Sequence, residues 1–175
     1  MKNVFAAAVV LLISIDAFSQ GQFQNETAGS LAYASGQVMQ LAAAFPADKY
    51  TYTPQEGVRN VTQVCTHIIS ANYFFASKLG GQIPADVKME TLEKDLTSKE
   101  AVAKELKRSF EVVGNAIKNT KDASLTEKVE FPFPGEFTRM TACLIILSHA
   151  NEHLGQLIAY ARANGVVPPW SAAGE

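Results

Sequence analysis

Histidine, cysteine and tryptophan are scarce in this 175-residue chain, which holds three, two and one of them. Charged residues make up only 18%, the lysines and arginines are scattered, and the formal net charge is -2. Without a basic run there is no electrostatic footprint for a polyanion, so nucleic acid is not an expected partner. There is no glycine-rich phosphate loop and no haem-attachment motif. Past residue 20 no apolar stretch can span a membrane: the best one, residues 142–158, is interrupted by His149, Glu152 and His153. No repeat, low-complexity tract or linker divides the chain. A hydrophobic content of 47% at this length describes one globular domain.

What is present begins with a secretory pattern. Lys2 supplies a positive start, residues 4–15 an apolar core, and Ala17 and Ser19 small residues at the -3 and -1 positions of a cut before Gln20. An uncleaved anchor would need about twenty apolar residues, and Asp16 comes too early for that. The expectation is a cleavable signal peptide at residues 1–19, a mature domain at 20–175, and export to the periplasm or the medium without stable membrane insertion. Export permits a disulfide between Cys65 and Cys143. Yet Cys65 lies about 200° around a helix from His67, and Cys143 about 240° from His149. If the histidines face inward, neither cysteine does so cleanly, and two separate packed thiols are expected, neither of them a metal ligand.

The remaining pattern is helical. In residues 22–45, Leu31, Ala34, Val38, Leu41, Ala42 and Phe45 form one stripe, ended by Pro46. A second helix starts either at the capping signature Thr53-Pro54-Gln55-Glu56 or, after a break, near Asn60 to Thr62. It carries His67 on a stripe with Val64, Ala71 and Phe74, and stops at Gly80-Gly81. The connection 82–97 has room for one short turn. Thr97-Ser98-Lys99-Glu100 reads as a capping box for a third helix, whose stripe of Val102, Leu106, Phe110, Val113 and Ile117 carries no ligand or acid–base group. Within the long connection 119–136, Phe131-Pro132-Phe133-Pro134-Gly135 reads as extended and lying across one end. A fourth helix, about 137–164, places Ala142, Ile145, Ile146, His149, His153, Gln156, Leu157 and Tyr160 inward, with Gly165 as its C-terminal cap. The fold expected is all-α: a four-helix bundle with long connections, whose helix order the sequence leaves open, including a parallel crossover after helix two.

His149 and His153, four apart, stack on one helix face about 6 Å along the axis, so they can share one metal ion. A lone histidine on an apolar face is more often a satisfied core residue. Three imidazoles buried without partners are costly, whereas one divalent ion satisfies all three. His67, His149 and His153 are the candidate ligands. Glu152 flanks the site about 80° from the direction bisecting the two helix-four histidines, and reads more readily as an exposed surface group. Gln156, about 40° off, is a better support for a histidine N–H. Tyr160 lies about 10 Å beyond His153 and reads as core with its hydroxyl at the rim. With all histidines claimed, no serine–histidine–carboxylate set fits.

His67 shortly after Arg59, then His149-x-x-x-His153-x-Gly155-Gln156, then Gly165-x-x-Pro168-Pro169, resembles the DinB/YfiT-like metal-dependent proteins, and the segment Pro54 to Gly80, with Asn72-Tyr73-Phe74-Phe75, resembles members that carry an export signal. The resemblance covers most of the mature chain. It implies a four-helix bundle with one divalent ion, zinc or nickel, held by three histidines with open positions. It also implies kinship with transferases that use low-molecular-weight thiols. Leu154 departs from the arginine relatives often carry. Three neutral ligands leave an ion its full charge and an open position, the layout of a catalytic site. The first function expected is thiol transfer or hydrolysis on a small-molecule substrate; catalytic residues stay unknown, with Glu152, Gln156 and Tyr160 as weak candidates. The alternative is a non-catalytic metal-binding or stress-associated binding protein. Homodimers are common among such bundles, but no interface is legible.

Overall fold

The computed structural model describes residues 21–171. The expected signal segment, residues 1–19, lies outside them. The described residues hold five α-helices rather than four: α1 (Gln22–Ala44), α2 (Val61–Lys78), the four-residue α3 (Leu92–Asp95), α4 (Lys99–Asn119) and α5 (Arg139–Ala163). Two short strands, β1 (Lys128–Val129) and β2 (Phe137–Thr138), pair antiparallel. Among the described residues no helix is long and apolar enough to cross a membrane.

The stripes expected on α1 and α4 are buried throughout, and the four long helices share one apolar core. The N-terminus of α1 has no capping side chain of its own. Distant Asp122 replaces it, accepting from Gly21 N at 3.1 Å and from Gln24 Nε2 at 2.7 Å. That places a negative charge at the positive end of the helix.

Of the two starts expected for α2, the chain uses the later one. Asn60 and Gln63 form a reciprocal capping box, each side-chain bond 2.9 Å long. The earlier signature becomes a turn, with Thr53 Oγ1 donating to the carbonyls of Gln55 and Val58. Gly57, at φ 81°, breaks any helix begun at Pro54. At the other end Gly80 turns through φ 83° and Gly81 N bonds Ala76 O at 2.8 Å, which closes α2. A Cβ on Gly81 would come within 2.9 Å of Ala116 Cβ, so the glycine lets α2 approach α4.

Bonds between helix ends settle the order that the sequence left open. Lys99 Nζ donates to Ala43 O and Phe45 O, and Gln24 reaches Thr120 O, so α1 and α4 are antiparallel. Arg139 bonds Leu79 O and Tyr160 bonds Arg59 O, so α2 and α5 are antiparallel. Asn72 bonds Ser109 while Gly81 abuts Ala116, so α2 and α4 run parallel. The connection after α2 is therefore a parallel crossover. It is clamped on α4 by a bidentate Asp86–Arg108 pair at 2.6 and 2.7 Å, and its α3 packs on α2. α4 itself is capped by Ser98, which accepts from Ala101 N; the Thr97–Glu100 box does not form.

Three further expectations are corrected. Phe131 to Gly135 is not an extended strap but the bent tip of the β1–β2 hairpin. Pairing of residues 128–129 with 137–138 forces the segment between them to reverse. Cys65 and Cys143 are free thiols, as expected, but both are completely buried in the core. Conversely, the line His67, Ala71, Phe74, Lys78 is only half-buried. α2 is covered by α4, α5 and α3, so its core face is wide and the histidine lies at its rim.

Candidate metal centre

His67 comes from the second turn of α2, while His149 and His153 sit one turn apart near the middle of α5. The antiparallel α2–α5 pair brings them together. His149 Nε2 lies 3.2 Å from His67 Nε2 and 3.1 Å from His153 Nε2. One ligand atom from each falls within 4.8 Å of the others, with no fourth His, Cys, Asp or Glu joining the group among the described residues. The two spacings from His149, 3.2 and 3.1 Å, are close to the edge of about 3.3 Å expected for a tetrahedron of nitrogen–zinc bonds of about 2.0–2.1 Å.

The supporting hydrogen bonds decide which nitrogen of His153 carries the proton. The Tyr160 hydroxyl donates to the Arg59 carbonyl at 3.0 Å, so towards Gln156 it must accept, from Nε2 at 2.9 Å. Gln156 then presents Oε1 to His153 Nδ1 at 2.9 Å, and that nitrogen must be N–H. In the neutral ring this leaves the Nε2 lone pair facing the cluster, the tautomer a metal ligand requires. The donor set fits a divalent ion on this ground.

On the other flank, Glu93 Oε1 of α3 lies 3.9 Å from His67 Nδ1, too far for a direct hydrogen bond but near enough to act electrostatically. Phe75 meets His149 edge-on at 6.0 Å and leads into an apolar wall of Phe74, Phe131, Phe133 and Phe137. Burial, then the neighbouring His153 and His67, hold His149 down to about 3 from 6.5, with Arg59 adding in the same direction. Burial also lowers His67, helped by Arg59 and His153 and opposed by Glu93 and Glu152. Neutral imidazoles are what metal ligation needs.

The residues expected at the site divide clearly. His67, His149 and His153 converge, and Gln156 supports His153 directly. Tyr160 is buried and holds Gln156 and the Arg59 carbonyl without reaching the histidines. Glu152 is exposed and makes no hydrogen bond or ion pair among the described residues, so it is not part of the cluster. Leu154 is packed in the core. Glu93 and the side chain of Arg59 escaped the sequence reading. The only signal for Glu93 was its neighbour Leu92, an apolar anchor in a polar crossover.

Solved structures of similar fold include a DinB-like protein from Bacillus cereus, 19% identical, with 82% of this chain and 93% of that chain covered and a TM-score of 0.69. A DinB-like protein from Bacillus subtilis is 16% identical over 81% and 93%, TM-score 0.64. A conserved protein from Enterococcus faecalis is 15% identical over 79% and 94%, TM-score 0.63. At these identities the likeness is one of fold. Comparison with curated proteins returned no match. The model of the DinB superfamily matches residues 31–157, from α1 through both histidines of α5, and the chain belongs to that superfamily.

Proposed function

We propose that this protein is an exported metalloenzyme in which His67, His149 and His153 hold one divalent ion, zinc or nickel, for thiol transfer or hydrolysis on a small molecule. The observation that carries the reading is the convergence of three ring nitrogens, one of them fixed as an acceptor by the Gln156–Tyr160–Arg59 chain. When bound, such an ion lowers the pKa of a coordinated water or holds a thiol as thiolate. The protein's own groups do the rest. Gln156 keeps His153 oriented, and the Phe75–Phe131 wall shields His149 from water on one side. Glu93, 3.9 Å from His67 Nδ1 on the side away from the converging nitrogens, acts on that ring electrostatically; Glu152 makes no hydrogen bond or ion pair among the described residues. Absence of a fourth protein donor among the described residues favours an open, catalytic site over a closed binding one.

Elemental analysis of protein purified without chelator or affinity tag, beside His149→Ala, tests this. One zinc or nickel per chain, lost in the variant, is the expected result. A metal-free chain whose melting temperature ignores added zinc and nickel would sink it. For export, the expected N-terminus of the mature protein is Gln20, read by N-terminal sequencing.

A further inference from the structure

A cleft of about 540 Å³ is lined by Gly57, Val58, Arg59, Gln63 and Glu93. It borders the Nδ1 side of His67. Glu93 lies 3.9 Å from His67 Nδ1, Gln63 sits one turn before His67 on the same face of α2, and the charge of Arg59 acts on both His67 and His149. Resting on the metal reading above, we propose that this cleft is a carboxylate subsite. Arg59 anchors the anionic end of a small ligand whose other end reaches the histidines.

Two unused donors point to an anion. The Arg59 backbone is held by Tyr160 through its carbonyl, yet its guanidinium makes no hydrogen bond or ion pair among the described residues. Gln63 spends its Oε1 on the Asn60 N–H, which leaves its amide NH2 without an acceptor among the described residues. A guanidinium and an amide NH2 offer N–H donors and no lone pair. The helix end itself is not the binding group, because the first N–H groups of α2, on Val61 and Thr62, already donate to Tyr52 O and Tyr50 O. Glu93 lines the same cleft without an ion pair to Arg59, which leaves the guanidinium for the ligand's anionic end.

The test uses cobalt(II)-loaded protein and reads the thiolate-to-cobalt absorption band while titrating 3-mercaptopropionate or its neutral amide. In the wild type the acid binds about tenfold tighter than the amide, the difference expected for one charge-assisted contact. In Arg59→Gln that preference disappears, while cobalt content at saturating metal and melting temperature match the wild type because the guanidinium makes no hydrogen bond or ion pair among the described residues. Equal binding of acid and amide to loaded wild type, or a preference that survives in Arg59→Gln, overturns the subsite and leaves the metal reading standing. Failure to load cobalt overturns both readings together.

Discussion

α4 and α5 lie diagonally opposite in the bundle and build their buried faces in different ways. α4 separates its faces cleanly: Val102, Leu106, Phe110, Val113 and Ile117 go in, and its lysines and most of its glutamates stay out. α5 mixes them. Its buried face carries His153 and Tyr160 among Ile146, Leu154 and Leu157, while Leu144 remains 51% exposed. A polar group buried without a partner is costly, so α5 tolerates its mixture only because its polar atoms are bonded in series, His153 to Gln156 to Tyr160 to the Arg59 carbonyl. A wall helix is built for contrast between its faces. A site helix gives up contrast for chemistry.

The contrast breaks most severely at Leu106. Leu106→Ala leaves a cavity in the wall and costs about 2–5 kcal/mol, seen as a lower denaturation midpoint. Metal bound per folded chain stays unchanged; its loss would show that wall and site are not separable. Gln156→Leu does the opposite. Metal affinity falls roughly 10–100-fold by titration calorimetry, because His153 loses the acceptor that sets its tautomer, while the fold survives. Unchanged affinity would reduce Gln156 to packing.

Acid sharpens the same distinction. His149 is held near 3 and His67 below its usual 6.5, so both stay neutral in the folded chain where the unfolded chain takes up protons. Between about pH 6.5 and the lowered folded values the unfolded state binds more protons, so metal-free stability falls as pH drops and these groups add no slope above that window. Denaturant unfolding at pH 7 and pH 5 checks the sign, and His149→Ala should flatten the slope. The smallest effect belongs to the wall's own cap. Ser98→Ala costs about 1 kcal/mol of stability and leaves metal affinity unchanged.

Where one helix uses one face for one purpose, the pattern was legible. The stripes of α1 and α4, the Gly80–Gly81 stop and the Gly165 cap follow from spacing and backbone freedom, and the structure has them all. The three histidines were legible for the same reason, being few and at helical spacing, and Gln156 follows His153 at i+3. Position relative to other elements was not legible. Cys65 was expected off the core face and is fully buried, because α4 packs on α2 as well as α5 and widens its core face beyond the histidine stripe. Phe131 to Gly135 read as extended until the two-residue strands on either side folded it back.

By itself the sequence determined which segments form the four long helices, which residues make the stripes of α1 and α4 and which three side chains can share an ion, because these depend on a period of 3.6 residues and on donor chemistry carried by each residue. Only the tertiary structure decided that the crossover after α2 is parallel, that it delivers Glu93 to His67, and that Arg59, Gln63 and Glu93 line one cleft. Those facts join residues distant in the chain, and whether such residues meet is set by how the helices pack.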